Sequence, residues 1–162
     1  MNRLACAAAL LVSAAFMAQS ASAQMTVQRT VVSSEAARKM AEACEALAKE
    51  KGWHVSVWVI DEAGQSLYMY RMQGAPWLSV EPSRMKAQTA LQTGRSSGSY
   101  EDAAKERGVI KGSTMAVMLN NFMAAGGLPV IVNGQVAGAI GVGGSPDDEG
   151  CAKTGIDAVF KK

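Results

Sequence analysis

The single histidine of this sequence is a residue that could bind a ligand. His54 is the only histidine among the 162 residues, which excludes a metal site built from several histidines. One neutral imidazole can still bind a metal centre through one ring nitrogen. His54 stands at the start of a predicted strand, however, where a partly exposed surface residue is the more ordinary interpretation.

Methionines are concentrated in the segment 115–123, which contains Met115, Met118 and Met123. Flexible thioether side chains adapt to a flat apolar ligand, and a thioether sulfur can bind iron. Core packing or a subunit contact would use the same side chains. The segment therefore predicts either an apolar ligand slot or a packed surface, and packing is the commoner of the two.

Two cationic residues, Arg71 and Lys86, could hold an anion. Arg71 ends a predicted strand and Lys86 lies on the next predicted helix, so the two could converge on one carboxylate through charge-assisted hydrogen bonds. Solvated or structural charges are the alternative. An acid–base pair that would serve an enzyme is not evident, and the Gly-x-Ser-x-Gly pattern at 94–98 has no histidine downstream.

The N-terminal segment resembles a secretory signal peptide. Arg3 provides a positive charge, an apolar run covers 4–17, and Ala21-Ser22-Ala23 is a small-residue cleavage motif. We predict a signal peptide over 1–23, one domain over 24–162 and a periplasmic or secreted product. An uncleaved anchor helix is the alternative, but the apolar run is shorter than the ~20 residues that a membrane span needs. No later segment is apolar enough to cross a bilayer, so no span is expected after cleavage.

Charge and cysteine content narrow the expected partners and compartment. The chain has a formal net charge of +2 without a cluster of basic residues, so nucleic acid is not an expected partner. Cys44 and Cys151 remain after loss of the leader, in a compartment that permits disulfides. Two buried thiols are the more ordinary interpretation of this pair, and a disulfide is the alternative.

Hydrophobic periodicity and turn residues predict an α+β fold. Asn133-Gly134 joins two short strands as a hairpin, and Ser145-Pro146 predicts the start of a final helix. In the second hairpin strand Ala137, Ala139 and Gly141 share one face, which would let a helix, a subunit or a ligand approach closely. A homo-oligomer is one expectation from this face. The other predicted elements are a leading strand Thr26–Val32, a helix from Ser33 or Ser34 to Lys51, strands Trp53–Ile60 and Gln65–Met72, a helix from Glu81 or Pro82 to Gln92, and a short helix Ser99–Glu106.

Three sequence blocks resemble one protein family. The block Gly52–Gly64 is similar to its helix-to-hairpin signature, and Arg71–Ala75 with Lys86–Ala90 to its arginine–methionine and lysine motifs. The Gly126–Pro129 hairpin start, with Ser145-Pro146 and Cys151-Ala152, resembles its C-terminal block. Over about residues 30–160 the chain thus resembles the GlcG/HbpS-like family, also called the haem-degrading-domain family and related to the C-terminal domain of PduO proteins.

The resemblance implies a profilin-like fold, in which a five-stranded antiparallel sheet has helices on both faces, and frequent assembly into oligomers. It also implies haem or corrinoid binding in some relatives. We therefore predict a non-catalytic exported protein that binds haem or a similar tetrapyrrole. The methionines would form the apolar slot and a thioether ligand, the cationic residues would bind the propionates, and the histidine would be a lower-ranked iron ligand. The candidate residues are Met115, Met118, Met123, Arg71, Lys86 and His54. The alternatives are an enzyme or enzyme accessory acting on a small organic acid, and a structural oligomer without ligand.

Overall fold

The elements of the fold follow the local sequence signals closely. The computed structural model describes residues 25, 27–99 and 120–161, so most of the predicted short helix Ser99–Glu106 lies outside the described residues. None of the described helices is long and apolar enough to cross a membrane. In chain order the elements are α1 (Ser34–Lys51), β1 (Ser56–Asp61), β2 (Ser66–Arg71), a short 3-10 helix (Trp77–Ser79), α2 (Val80–Thr93), β3 (Gly127–Val132), β4 (Gln135–Gly143) and α3 (Asp148–Phe160).

Within the described residues, four strands form an antiparallel sheet in the order β2–β1–β4–β3. The predicted hairpin turns at Asn133 and Gly134 with φ of 50° and 76°, as a two-residue turn of this type requires. The resemblance implies a sheet of five strands, whereas the described residues form four. The leading strand predicted over 26–32 is wrong for its described part. Val32 reaches the sheet without forming a strand: its N–H donates at 3.0 Å to the carbonyl of Ala137, which has no Cα partner in β1 or β3, and its side chain is buried in the core.

One face of the sheet is covered by α1 and α3. Ser33 caps the first turn of α1 through its side chain, and Gly52 ends the helix with φ of 68°, as the sequence predicts. The start of α3 was expected at Ser145, but the cap is Asp147. Its carboxylate accepts a hydrogen bond at 2.8 Å from the N–H of Gly150.

A disulfide joins α1 to α3. Cys44 and Cys151 are fully buried and bonded to each other, with their Cα atoms 4.8 Å apart. The expectation of two free thiols is therefore wrong, although their burial is as expected. The helices can come this close because Gly155 of α3 faces the Met40 carbonyl oxygen of α1, where an added Cβ would lie 2.6 Å from that oxygen.

The opposite face is covered by α2, which rests on the small residues of β4. A Cβ added at Gly141 would lie 2.0 Å from the carbonyl oxygen of Ser83 and 2.6 Å from the amide nitrogen of Ala87. Ala139 packs in the same cluster as Ala87. The predicted close approach is confirmed at Ala139 and Gly141, and the approaching element is a helix of the same chain. The prediction that Ala137 shares this face is wrong, because the register of β4 with β3 shifts at that residue and Ala137 packs in the core cluster on the opposite side. Because α2 occupies the face of Ala139 and Gly141, that face gives no argument for a second subunit.

Candidate functional site

The segment of residues 72–79, here called the His54 loop, follows β2, includes the 3-10 helix Trp77–Ser79 and leads into α2. The Met72 N–H donates to the Val55 carbonyl, and the Ala75 N–H donates to the Met72 carbonyl, each at 3.0 Å. The side chains of Met72 and Ala75 are buried. These contacts hold the loop in a defined conformation beside the start of β1.

The side chain of His54 is exposed and is bonded to the loop through one ring nitrogen. Its Nδ1 lies 2.9 Å from the carbonyl oxygen of Gln73. A carbonyl oxygen can only accept, so Nδ1 carries the proton and donates it. In this tautomer Nε2 keeps its lone pair, and no described residue hydrogen-bonds that atom. In the neutral ring, Nε2 can therefore bind a metal centre.

Arg71 lies on the same side of the sheet as His54. Its Cα partner in β1 is Ser56, two residues after His54 in the extended chain, so the two side chains leave one face. The exposed guanidinium donates to the carbonyl oxygen of Ala75 in the His54 loop. A guanidinium has five N–H donors, so others remain to bind an anion.

Two large apolar side chains project from the loop into solvent. Trp77 is 79% exposed and Leu78 is 63% exposed. Their position is fixed by the buried Ser79, whose hydroxyl donates to the Pro76 carbonyl at 2.6 Å and lies 2.8 Å from the hydroxyl of Ser56. The exposed pair is thus an anchored apolar patch rather than an unattached loop tip.

The start of the loop contacts His54 directly, and Gly144 separates the end of the loop from His54. Gln73 contacts its imidazole ring, whereas Gly144 lies between its backbone and Ser79. A Cβ added at Gly144 would be 2.7 Å from the His54 carbonyl oxygen and 3.3 Å from the Ser79 Cβ. The stretch between Gln73 and Ser79 includes Trp77 and Leu78, so an apolar patch, an exposed ring nitrogen and a cation belong to one small region.

Lys86 belongs to a different and buried part of the molecule. It is only 5% exposed, and its Nζ lies 2.6 Å from an Asp148 carboxylate oxygen and donates to the Val142 carbonyl at 3.1 Å. The Phe122 ring centroid is 5.9 Å from the same nitrogen. Lys86 therefore uses its donors inside the protein, and the structure does not bring it and Arg71 onto one carboxylate.

The methionine segment is only partly described. Met115 and Met118 lie outside the described residues, so the predicted slot is not tested there. Met123 is half-buried, close in the chain to Phe122, whose N–H donates to the Thr89 hydroxyl at 2.8 Å. Within the described ranges, no group of three or more His, Cys, Asp or Glu side chains could hold a metal ion.

Glu81, two positions after the loop, is an ionisable group with a perturbed pKa. The guanidinium of Arg84 donates to its carboxylate from Nε at 3.0 Å. This hydrogen bond holds the pKa of Glu81 below its usual value, more than partial burial raises it. The carboxylate therefore stays ionised at neutral pH beside the first turn of α2.

Sequence reasoning missed the residues that shape this region. The Gln73 carbonyl carries no side-chain signal, and its contact with His54 spans 19 positions. Trp77 and Leu78 did offer a signal, because two large apolar residues follow a proline in a predicted loop. Such residues are unusual in an exposed turn and can indicate a binding surface.

Comparisons with known proteins point to one family. A family model described as haem degrading protein HbpS-like matches residues 32–157. An uncharacterized 15.0 kDa protein of Citrobacter freundii, from the dhaT-dhaS intergenic region, is 36% identical over 132 residues, which cover 80% of this chain and 93% of that protein. Protein GlcG of Escherichia coli K12 is 32% identical over 115 residues, or 70% of this chain and 82% of GlcG.

Solved structures share the fold. A double mutant of Streptomyces reticuli HbpS has a TM-score of 0.76 at 31% identity, covering 85% of this chain and 92% of HbpS. A PduOC:heme complex has a TM-score of 0.74 at 22% identity, covering 81% of this chain and 96% of that one. At the latter identity the likeness supports the fold alone.

Proposed function

Since the chain belongs to the GlcG/HbpS-like family, we propose that it binds haem at the His54 loop. The observation that carries this proposal is the hydrogen bond from His54 Nδ1 to the Gln73 carbonyl, because it leaves Nε2 exposed with a lone pair. Haem would supply an iron centre that His54 could hold through Nε2. The description of the matching family model as haem degrading supports the choice of ligand.

The residues present fit the chemical needs of this ligand. Haem has one iron, a wide apolar ring and two anionic propionates. His54 offers one nitrogen, Trp77 and Leu78 offer exposed apolar surface, and Arg71 offers unused guanidinium donors. A single histidine is enough because haem iron already has four porphyrin nitrogens. The methionines of 115–123 remain predicted contributors to an apolar slot.

The proposal is binding rather than catalysis. The small-organic-acid alternative depended on Arg71 and Lys86 acting together, and the ion pair of Lys86 with Asp148 removes one of the two cations. Arg71 alone can still hold a carboxylate. The haem experiment must therefore distinguish haem binding from weak binding of organic acids. Competition between haem and a simple dicarboxylate would measure it.

Three further properties belong to the same proposal. The Cys44–Cys151 disulfide supports export, because disulfides persist in oxidising compartments such as the periplasm. The five-stranded, profilin-like architecture and a homo-oligomer are proposed from the family resemblance. Intact mass of the mature protein tests cleavage after residue 23, and light scattering at micromolar concentration tests the oligomer.

A haem titration followed by visible spectroscopy tests the proposed ligand. The wild type should show a saturable Soret shift with a nitrogen-ligand spectrum. His54→Ala should lose that spectrum and bind at least about tenfold more weakly, as lost metal-site interactions usually cause. Added imidazole should restore the spectrum, because it replaces the missing ring.

The matched control is Gln73→Ala in the same loop. Gln73 contacts His54 through its backbone carbonyl, so removal of its side chain should leave the spectrum and affinity unchanged. A wild type without saturable binding would reject the haem proposal. An unchanged spectrum in His54→Ala would instead reject this site and move the methionine segment ahead.

A further inference from the structure

Two glycines enclose His54, one on its ring and one on its backbone. Gly74 has φ of 85° and Gly144 has φ of 110°, in the left-handed range that side chains disfavour. A Cβ at Gly74 would lie 3.0 Å from Nδ1 and 3.3 Å from Cε1 of the imidazole. The loop backbone therefore passes against the ring itself, at the nitrogen that faces the Gln73 carbonyl.

The hydrogen bond between Nδ1 and the Gln73 carbonyl favours one position for the ring proton. In a neutral imidazole the proton can sit on either nitrogen, and the tautomer present is set by the hydrogen bonds that the ring makes. A ring that could swing away from the Gln73 carbonyl would exchange between both forms. Fixing Nδ1 against a carbonyl oxygen stabilises the form in which Nε2 is unprotonated.

We propose that Gly74 is a positioning residue that selects the Nδ1–H tautomer of His54 and so prepares Nε2 as a ligand. Its absent side chain leaves room for the ring, and its left-handed conformation turns the preceding carbonyl toward Nδ1. Use of Nε2 by haem rests on the proposed function. The tautomer itself is a property of the ligand-free protein.

Nitrogen NMR of the ring tests this inference without any ligand. His54 is the only histidine in the sequence, so the ¹⁵N-labelled protein gives one set of imidazole signals. In the wild type at mildly alkaline pH, the shifts should show a protonated Nδ1 and an unprotonated Nε2. Gly74→Ala should move both shifts toward the averaged values of a free imidazole.

Two further variants separate the ring contact from backbone strain. Gly134→Ala places a side chain at φ of 76° with nothing within 4 Å, so it carries the same kind of strain far from the ring and should leave the ring shifts unchanged. Gly74→Asn is tolerated better at positive φ but still places a Cβ against Nδ1. Gly74→Asn should disturb the tautomer as Gly74→Ala does. It replaces Gly74→Ala as the test variant if the alanine variant fails to fold.

The outcomes distinguish this inference from the haem proposal. Ring shifts of the wild type that show a protonated Nε2 would overturn it, as would unchanged shifts in both Gly74 variants. If the shifts change as expected, haem affinity should fall by about 10–100-fold, the usual loss when a partner of a metal ligand is removed. If the wild type binds no haem but the shifts change, the positioning role stands and the haem proposal fails.

Discussion

Replacement of Lys86 by methionine should destabilise the fold without affecting the His54 loop. The ion pair of Lys86 with Asp148 is buried, with only 6% and 12% of the two side chains exposed. Loss of one member of such a pair costs about 3–5 kcal/mol, because a buried charge is left without its counter-charge. The Val142 carbonyl loses its donor as well.

The structure also predicts how far a second substitution can restore stability. Asp148 accepts hydrogen bonds from both the N–H and the hydroxyl of Ser145, each at 2.8 Å. Those donors partly compensate the carboxylate when Lys86 is replaced, so we place Lys86→Met near the lower end of the range. Adding Asp148→Leu removes the stranded charge but leaves the Ser145 donors unpaired, at about 1–3 kcal/mol for such a group. The double variant should therefore recover only part of the loss.

Urea unfolding of the two single variants and the double variant gives the coupling energy between these residues. The control is Lys153→Met, whose ion pair with Asp157 lies on the surface of α3 and should not change the unfolding midpoint measurably. Haem titration of folded Lys86→Met should match the wild type. A loss below about 1 kcal/mol, or loss of haem binding in a folded variant, would refute the structural role assigned to Lys86.

Three other perturbations have defined outcomes. Reduction of the disulfide should lower the free energy of unfolding by about 2–5 kcal/mol, because the bridge joins residues 107 positions apart; urea unfolding with and without reductant measures this, and cysteines that alkylate in the native protein would contradict the bridge. Glu81→Gln should remove a stabilising effect that is present at neutral pH, because the Arg84 hydrogen bond favours the ionised carboxylate in the folded state. The wild type loses this effect as the pH falls through the lowered pKa of Glu81, so the urea midpoints of variant and wild type should converge in acid. A difference that stays constant with pH would reject the assignment. Gly141→Ala should cost about 1–3 kcal/mol, because its Cβ would overlap the Ser83 carbonyl; an unchanged urea midpoint would show that α2 can move away from β4.

Elements with local signals were predicted well from the sequence. The Ser33 cap and Gly52 end of α1, and the Asn133-Gly134 turn, are encoded within a few residues of where they act. The exact cap of α3 was missed because Ser145 and Asp147 are both good capping residues, and their competition depends on three-dimensional contacts.

Contacts between distant positions could not be predicted in the same way. Small residues in β4 predicted close approach, but nothing in the sequence identifies α2 as the element that approaches. Lys86 and Asp148 are 62 positions apart, so the pairing that removes Lys86 from an anion site has no local pattern. The same holds for the disulfide, since helix burial was predictable but the approach of α1 to α3 was not.

The sequence ranked His54 low as an iron ligand because it does not show which group hydrogen-bonds the imidazole ring. An isolated histidine at a strand start is usually an ordinary surface residue. The structure adds a backbone carbonyl on Nδ1, and this gives the other nitrogen a chemical character that residue type alone does not reveal.

The two-sided covering of the sheet has a practical consequence for coupling the protein to a support. The last described helix, α3, ends at Phe160 in the layer that also contains α1, whereas the side chains of His54 and Arg71 leave the sheet on the face that α2 covers. A linker attached after Lys161 therefore leaves from the far side of the sheet. A chain immobilised through that linker would present Trp77, Leu78 and the His54 ring to the solution, an orientation suited to a surface-based sensor.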